Sequence, residues 1–312
     1  MDGPRACLPH ELPALIAAAN RVFRPSGGDM GRDYPLLFSA ARLDNLRVIA
    51  DRGAILAHAG LCVRPAALGG VTIGVGALGA VFTREDHRNQ GLAAAVVGDA
   101  LARARAIGAP LALVSGDGPL YRRLGFATVP EVVCWDCAPA AGPSRAVRVR
   151  PCREDDLDQL ARLNDAEPVH FVRDASDWRA LLRASVIFSW QARFWLVQRV
   201  QEGKGDGTDH AEADADGAAG IGGAGGPAVG YLVVAQRARR RVLELAGDRA
   251  ALLAAAPLVG DELVTHWHDS ETADLARRLG WRERALSLPM GSQWLTAPER
   301  PLPLPWYGLN YV

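Results

Sequence analysis

A polar segment that joins an apolar strand to an amphipathic helix has the composition of an anion-binding loop. It reads Arg84-Glu-Asp-His-Arg-Asn-Gln-Gly-Leu-Ala and follows an apolar run that ends at Thr83. The first N–H groups of a helix have no internal partner, the helix N-terminus carries partial positive charge, and glycine lets a phosphate approach the backbone. Arg88 adds a formal charge. Taken alone, an Arg-x-x-Gly-x-Ala pattern is better explained by tight helix-on-sheet packing through Gly91 and Ala93, so its context decides.

The elements around this loop predict an antiparallel meander followed by a helix. Turn signals at Arg52-Gly53 and Gly69-Gly70 separate three apolar runs, and Gly125 is placed to cap a brief helix in the left-handed conformation. We predict strands over 45–50, 54–63, 71–83 and 110–114, and helices over 12–22, 92–108 and 119–124. The loop therefore lies where the meander meets the longer helix.

A second motif, Leu120-Tyr-Arg-Arg-Leu-Gly-Phe, follows this helix and the next strand. The whole assembly resembles the GNAT superfamily of N-acetyltransferases. The pyrophosphate motif of that superfamily, Arg/Gln-x-x-Gly-x-Gly/Ala, matches 88–93, and its Tyr-x-x-x-Gly-Phe ending matches 121–126. Asn45-Leu-Arg-Val-Ile, His58-Ala-Gly and the run 76–83 are similar to the tandem-domain group of enhanced intracellular survival aminoglycoside acetyltransferases.

This resemblance implies an enzyme that moves an acetyl group from acetyl-CoA to a primary amine of a small molecule by direct attack. The strand backbone at 81–83 would hold the acetyl-pantetheine arm, and an N–H there would stabilise the developing oxyanion. Tyr121 would return a proton to the leaving thiolate. The alternative is that Tyr121 is an aromatic residue of the core at the end of a helix. The predicted cofactor-binding residues are Val81, Phe82, Thr83, Arg88, Asn89, Gln90, Gly91, Leu92, Ala93, Ala94, Gly116 and Asp117.

The general base is harder to assign, because the run 71–83 contains no ionisable side chain. The base must come from elsewhere or be water. In the tandem group the C-terminal carboxylate lies near the catalytic tyrosine, which makes Val312 the candidate here. Two other functions stay open: a non-catalytic sensor of coenzyme A or another metabolite, and acetylation of a protein N-terminus or lysine.

The length of 312 residues predicts two domains. We expect an α/β (α+β) protein with two tandem GNAT-like units, each a mixed, mostly antiparallel sheet flanked by helices. The predicted units are a catalytic domain over 1–140 and a degenerate second domain over 145–298, whose loop after residue 246 lacks the Arg-x-x-Gly-x-Ala pattern and should not bind coenzyme A. A Gly, Ala and Asp tract at 202–227 is predicted to be disordered, and the apolar tail at 299–312 to pack near the active site.

The composition of the chain limits the classes of partner that we expect it to bind. Arginine and lysine total 35 and acidic residues total 35, without a basic stripe, so nucleic acid is not an expected partner. No apolar run is long enough for a membrane span, and the N-terminus lacks a secretory pattern, so we expect a cytoplasmic protein. Both a monomer and a homo-oligomer stay open. We predict no metal site, because Cys134 with Cys137 and His266 with His268 supply too few convergent ligands.

Overall fold

The computed structural model describes residues 1–138, 147–200, 211–213, 219–221, 227–287 and 289–305. The chain forms two compact units, and neither is continuous in sequence. The first comprises Met1–Pro130, Pro168–Phe188 and the segment from Ser287 onward, and the second comprises Glu131–Glu167 and Ser189–Leu286.

Eighteen strands and eight α-helices are assigned within the described residues. The strands are β1 (Asp2–Ala6), β2 (Leu46–Asp51), β3 (Ala54–Leu68), β4 (Thr72–Thr83), β5 (Leu111–Val114), β6 (Ala127–Thr128), β7 (Val132–Asp136), β8 (Val147–Pro151), β9 (Val169–Phe171), β10 (Val186–Ile187), β11 (Trp190–Arg199), β12 (Ala211–Ala213), β13 (Ala219–Ile221), β14 (Ala228–Ala235), β15 (Arg241–Gly247), β16 (Glu262–Thr265), β17 (Arg282–Leu286) and β18 (Gly291–Trp294). The helices are α1 (Leu12–Phe23), α2 (Met30–Asp33), α3 (Leu92–Ala106), α4 (Pro119–Arg123), α5 (Leu157–Asp165), α6 (Ala175–Ala184), α7 (Arg249–Val259) and α8 (Ser270–Arg278).

The sheet of the first unit has the order β1-β2-β3-β4-β5-β18-β6, with β9 paired to the far end of β3. All its neighbours are antiparallel except β4 and β5, which are parallel. Both predicted hairpin turns, Arg52-Gly53 and Gly69-Gly70, have positive φ at both residues, as tight turns that match the strand twist require. The apolar side of α3, including Val96, Val97 and Leu101, packs on this sheet and forms one core.

The second unit repeats this order. Its sheet runs β11-β14-β15-β16-β7-β17, with β8 also paired to β11, so β8, β11, β14, β15 and β16 correspond to β1 through β5. The one parallel pair is again the fourth with the fifth, β15 with β16. Trp135, Trp195 and Leu252 of α7 belong to the core of this unit. The predicted fold class of two tandem units with mixed sheets is therefore confirmed.

The segments that form each unit differ from the predicted ranges 1–140 and 145–298. Strand β7 belongs to the second unit, whereas β9, α6 and β18 belong to the first. Helix α6 was not predicted, although its Asp174 accepts a hydrogen bond from the Asp177 N–H at 2.8 Å, an N-cap that the sequence carries. Local patterns identify a strand but not the sheet that it joins, so position in the sequence alone does not assign these segments to a unit.

Most of the predicted disordered tract at 202–227 lies outside the described residues. Within it, β12 and β13 pair as a short antiparallel ladder. The predicted apolar tail at 299–312 is described as far as Pro305, and Val312 lies outside the described residues. No helix in the described part of the chain is both long and apolar enough to cross a membrane.

Candidate active site

Strands β4 and β5 pair only over the first part of β4. Their parallel ladder ends at Leu78 opposite Val114, where β5 itself ends. Strand β4 continues to Thr83 and stays paired with β3 on its other side. The last residues of β4 therefore present backbone groups toward the side that β5 has left, and the predicted arm-binding segment, 81–83, lies in this stretch.

A β-bulge interrupts β4 where the two strands separate. His58 of β3 pairs with Phe82 and Gly60 pairs with Gly79, so β4 has one residue more than β3 between these pairs. Ala80 adopts a φ of 50°, in the left-handed region that residues with a Cβ seldom occupy. Bulges of this kind redirect backbone groups and are frequent beside active sites.

The bulge also changes the direction of the side chains along β4. Leu78 and Val81 both pack against the core beneath α3, although residues three apart in a regular strand face opposite sides. Phe82 takes the other face, where its ring centroid lies 5.7 Å from that of His58 and 6.4 Å from that of Phe23. This second face of the sheet lies beside α1, to which Phe23 belongs.

The loop from β4 to α3 contains two residues with left-handed backbone. A short 3-10 turn at Glu85–His87 is followed by Asn89 with a φ of 62° and Gly91 with a φ of 77°. Asparagine and glycine are the residues that tolerate this conformation best. A Cβ added to Gly91 would meet no protein atom within 4 Å, so the space beside this position is open to a ligand.

The N-terminus of α3 carries uncompensated positive charge. Gly91 is its N-cap and has no side chain with which to cap the first N–H groups. Arg88 is exposed and makes no ion pair with any residue that the structure describes. Arg84, in contrast, binds Asp86 at 2.6 Å and, together with His87, lowers the pKa of that carboxyl to about 2. The loop therefore offers backbone donors and the free Arg88 charge to an anion such as a pyrophosphate.

The other predicted residues of this segment have different roles. Gln90 is exposed, and Ala93 and Ala94 are partly exposed in the first turn of α3. The Leu92 side chain is buried in the core. Leu92 can therefore contact a ligand through its backbone N–H but not through its side chain.

Tyr121 lies in α4, directly after the loop that follows β5. The ring of Tyr121 covers Gly116: a Cβ at Gly116 would lie 2.5 Å from Tyr121 Cε2. The Tyr121 ring also packs edge-on against Phe126 at 6.0 Å between centroids. Gly125, with a φ of 90°, ends the helix as predicted. Asp117 is exposed, and its carbonyl accepts a hydrogen bond from Arg122.

A buried histidine on β3 was not predicted as a site residue. His58 Nδ1 lies 2.8 Å from the Ala80 carbonyl oxygen at the bulge, and the side chain is fully buried. Burial lowers the pKa of His58 to about 4, although the hydrogen bond to Ala80 opposes this. A single histidine within the apolar run 54–63 was the available sequence signal.

The segment after α1 contains a buried carboxylate, but its charge is compensated. Asp33 accepts a hydrogen bond from Arg24 Nε at 2.8 Å, and Arg24 also donates to the Tyr34 hydroxyl at 3.1 Å. Asp33 is therefore not a free base. The predicted alternative, the carboxylate of Val312, lies outside the described residues.

The corresponding loop of the second unit is filled by the protein itself. The Gly247 N–H donates to Glu167 Oε1 at 2.8 Å, and Arg249 pairs with the same carboxylate at 2.5 Å. Arg249 Nε also lies 3.4 Å from Asp269. Carboxylates of the chain therefore occupy the positions that a bound anion would take.

The paired histidines of the second unit stack on each other. The His266 and His268 rings lie 5.7 Å apart, and burial lowers both pKa values. In the part of the chain that the structure describes, no three histidine, cysteine or carboxylate side chains are grouped to hold a metal.

Residues 4–129 match the family model of the acetyltransferase (GNAT) domain. Two curated relatives from Streptomyces griseus, an uncharacterized N-acetyltransferase and the uncharacterized N-acetyltransferase ORF5, are each 27% identical over 158 residues, covering 45% of this chain and 38% of theirs. The chain thus spans well under two thirds of the length of these relatives.

Solved structures share the fold over nearly the whole chain. A probable N-acyltransferase from Enterococcus faecalis has a TM-score of 0.64 at 12% identity, covering 93% of this chain and 72% of that one. Eis1 from Mycobacterium abscessus has a TM-score of 0.59 at 14% identity, covering 95% of this chain and 74% of that one. At these identities the likeness concerns the fold alone.

Proposed function

We propose, taking residues 4–129 to be the acetyltransferase (GNAT) domain that their family match shows, that the chain moves an acetyl group from acetyl-CoA to a primary amine of a small molecule. One observation carries this proposal: the end of β4, which β5 no longer pairs, continues through the loop 84–91 into the uncapped N-terminus of α3. A single stretch of backbone thus provides donors for an extended arm and then for a diphosphate.

The residues present fit acetyl-CoA as a co-substrate. The N–H groups at the start of α3 and the Arg88 guanidinium would bind the pyrophosphate, since both are charge-complementary to it. The open side of Gly91 lets the phosphate oxygens approach the backbone. The strand backbone at 81–83, directly after the bulge at Ala80, would hold the pantetheine arm.

In the proposed reaction the neutral amine attacks the thioester carbonyl carbon, so that an N–C bond forms and the C–S bond breaks. The Val81 N–H would stabilise the negative charge that develops on the carbonyl oxygen. Tyr121 would donate a proton to the departing thiolate. The proton lost by the amine would go to water, oriented by the C-terminal carboxylate of Val312.

We also propose that the second unit binds no cofactor and that the protein acts in the cytoplasm without nucleic-acid partners. The occupied loop at Gly247 supports the first point. The acceptor is proposed as a small amine in line with the resemblance to the tandem group.

The test is release of free thiol from acetyl-CoA in the presence of a panel of small amines and of peptides with free N-termini or lysines. We expect turnover with at least one small amine, and Tyr121→Phe should lower kcat at least about tenfold. Arg123→Ala, an exposed change on the same helix, is the control and should have no effect. Binding of acetyl-CoA without turnover on any amine would favour a sensor instead.

The Val312 role has its own test. Adding a few glycines after Val312 moves the carboxylate without removing a side chain, and kcat on the best amine should then fall while acetyl-CoA affinity stays the same. Full turnover by the extended protein would remove Val312 from the mechanism.

A further inference from the structure

The fully buried imidazole of His58 makes one hydrogen bond to the described part of the protein. Its Nδ1 lies 2.8 Å from the Ala80 carbonyl oxygen, whereas Nε2 is buried without a hydrogen-bond partner among the described residues. Burying a polar ring costs free energy that an apolar side chain of the same shape would not incur. The hydrogen bond to Ala80 is therefore the feature that distinguishes histidine from leucine or phenylalanine at this position.

The surroundings fix the ring in one orientation. It stacks on Phe38 with 5.9 Å between centroids and lies beside Phe82. Gly60 leaves room for it, since a Cβ there would lie 3.1 Å from His58 Cε1 and 2.7 Å from Leu37. A carbonyl oxygen can only accept a hydrogen bond, so Nδ1 carries the proton and the neutral ring is the Nδ1–H tautomer.

The bond acts on the peptide that the bulge would otherwise leave unsupported. Ala80 and Val81 have no partner in the β3 ladder, and Ala80 has a φ of 50°, a conformation that persists in a residue with a Cβ only when its surroundings impose it. In a planar trans peptide, C=O and N–H point in opposite directions. A residue of β3 that fixes the Ala80 carbonyl thus turns the Val81 N–H toward the side that β5 has left.

We propose that His58 is a positioning residue for acetyl transfer: by donating to the Ala80 carbonyl it aims the Val81 N–H at the thioester oxygen. This inference rests on the proposed function. His58 does not touch the substrate and is not a base. Its contribution is the direction of one backbone donor at the bulge.

Three variants at His58 separate this role from mere packing. The amide nitrogen of asparagine is two bonds beyond Cβ, as Nδ1 is, whereas that of glutamine is three bonds beyond Cβ, as Nε2 is. His58→Asn therefore retains a donor near Ala80, while His58→Gln and His58→Leu do not. We expect kcat to fall about 10- to 100-fold in the Gln and Leu variants, which is less than the loss of an oxyanion donor itself, and to stay within about fivefold of the unchanged protein for Asn.

A binding measurement completes the test. Calorimetry should show that the Gln variant keeps its affinity for coenzyme A, which has no acetyl group, but loses any preference for acetyl-CoA. Equal kcat values for all three variants, or a fall that follows thermal stability alone, would overturn the positioning role.

Two measurements on the unchanged protein keep the outcomes distinct. Nitrogen-15 NMR of the free protein should show His58 as the Nδ1–H tautomer, and the Nε2–H tautomer would refute the proposal without any variant. If the unchanged protein neither binds nor turns over acetyl-CoA, the proposed function fails. If it does both and His58→Gln behaves the same, only the positioning role fails.

Discussion

The two units contain the same strand–loop–helix arrangement, yet only one of the loops is open to an anion. In the first unit Gly91 leaves the N-terminus of α3 uncapped, and Arg88 has no acidic partner among the described residues. In the second unit Asp248 caps α7 by accepting from the Ala251 N–H at 2.8 Å, which lowers the pKa of its carboxyl. The Glu167 carboxylate accepts hydrogen bonds from both the Gly247 N–H and the Arg249 guanidinium.

The difference shows how a phosphate site is lost without loss of the fold. A helix N-terminus attracts any negative group, and a carboxylate of the chain itself satisfies the same donors that a phosphate would. The sheet order around the two loops is unchanged. A loop of this kind can therefore bind a phosphate only where no acidic side chain of the protein already occupies its donors. We expect one acetyl-CoA per chain.

The largest effect should come from giving the first loop an acid. We expect Gly91→Asp to weaken acetyl-CoA binding at least about 100-fold, since a carboxylate beside the pyrophosphate repels it and its Cβ occupies the approach. Gly91→Asn, of the same size, tolerates the φ of 77° and carries no charge, so it should lose less. Calorimetry measures both, and equal losses would mean that bulk rather than charge closes the site.

Arg88→Ala tests the free cation of the open loop. It should weaken acetyl-CoA binding by about 1.5–3 kcal/mol, the range for hydrogen bonds to charged groups. Arg105→Ala removes the same charge from the other end of α3, where the side chain is also exposed, and should leave binding unchanged. Equal effects of the two variants would indicate a long-range charge effect rather than a contact.

Glu167→Ala tests the filled loop through stability. Among the described residues it leaves Arg249, which is largely buried, with a hydrogen bond to the Gly247 carbonyl at 3.0 Å and with Asp269 at 3.4 Å as its remaining ion-pair partner. We therefore expect a loss of about 2 kcal/mol in the free energy of unfolding. Asp274→Asn breaks an exposed pair with Arg277 and should cost less than about 0.5 kcal/mol. Denaturant unfolding compares them. Appearance of a second acetyl-CoA site in Glu167→Ala would show that this one acid closes the loop.

The sequence predicted the open loop better than the closed one. Arg88, Gly91 and Ala93 form a contiguous motif, and the GNAT resemblance based on it is confirmed by the family match to residues 4–129. The meander and both hairpin turns were also predictable, because glycines and alternation are local signals. Glu167 could not be found in this way, since it lies 80 residues from Gly247 in sequence. The Ala80 bulge was equally hidden, because an extra residue in one strand is defined only by its partner.

Acid sensitivity tests the buried histidine of the first unit. His58 has a pKa of about 4 when folded and an ordinary value of 6.5 when unfolded. Between these values only the unfolded chain takes up the proton, so stability that is complete above pH 6.5 is lost as the pH falls toward 4. The expected loss from His58 between pH 7 and pH 5 is about 2 kcal/mol.

The measurement is the free energy of unfolding of the first unit in urea, determined at pH 7 and at pH 5. His58→Asn should lose about 2 kcal/mol less than the unchanged protein over this interval. His266 and His268 have lowered pKa values in the second unit and remain in both proteins. An identical pH dependence of the two proteins would show that His58 is not a buried neutral group.

The smallest effect on stability should come from shortening the connection between β11 and β14, so that it resembles the short turn between β2 and β3. Strands β2 and β3 are joined by Arg52-Gly53, whereas the corresponding strands β11 and β14 are separated by the tract that contains β12 and β13. The β11–β14 ladder closes at Gln198 opposite Ala228, and β12 and β13 pair with each other. Deleting Gly203 to Gly226 therefore removes one short ladder and leaves the main sheet paired.

The expected change in stability is small because loop closure depends weakly on length. Each halving of the length of a loop changes the closure free energy by about 0.6 kcal/mol. The deletion leaves Val200, Gln201, Glu202 and Pro227 to connect β11 with β14. We expect the free energy of unfolding to change by less than about 2 kcal/mol and acetyl-CoA affinity, which depends on the first unit, to stay the same. A substitution control that replaces 203–226 by an equally long Gly-Ser segment separates length from sequence. Insoluble protein from the deletion but not from the Gly-Ser protein would show that this connection must be long, and loss of both would show that the tract itself stabilises the second unit.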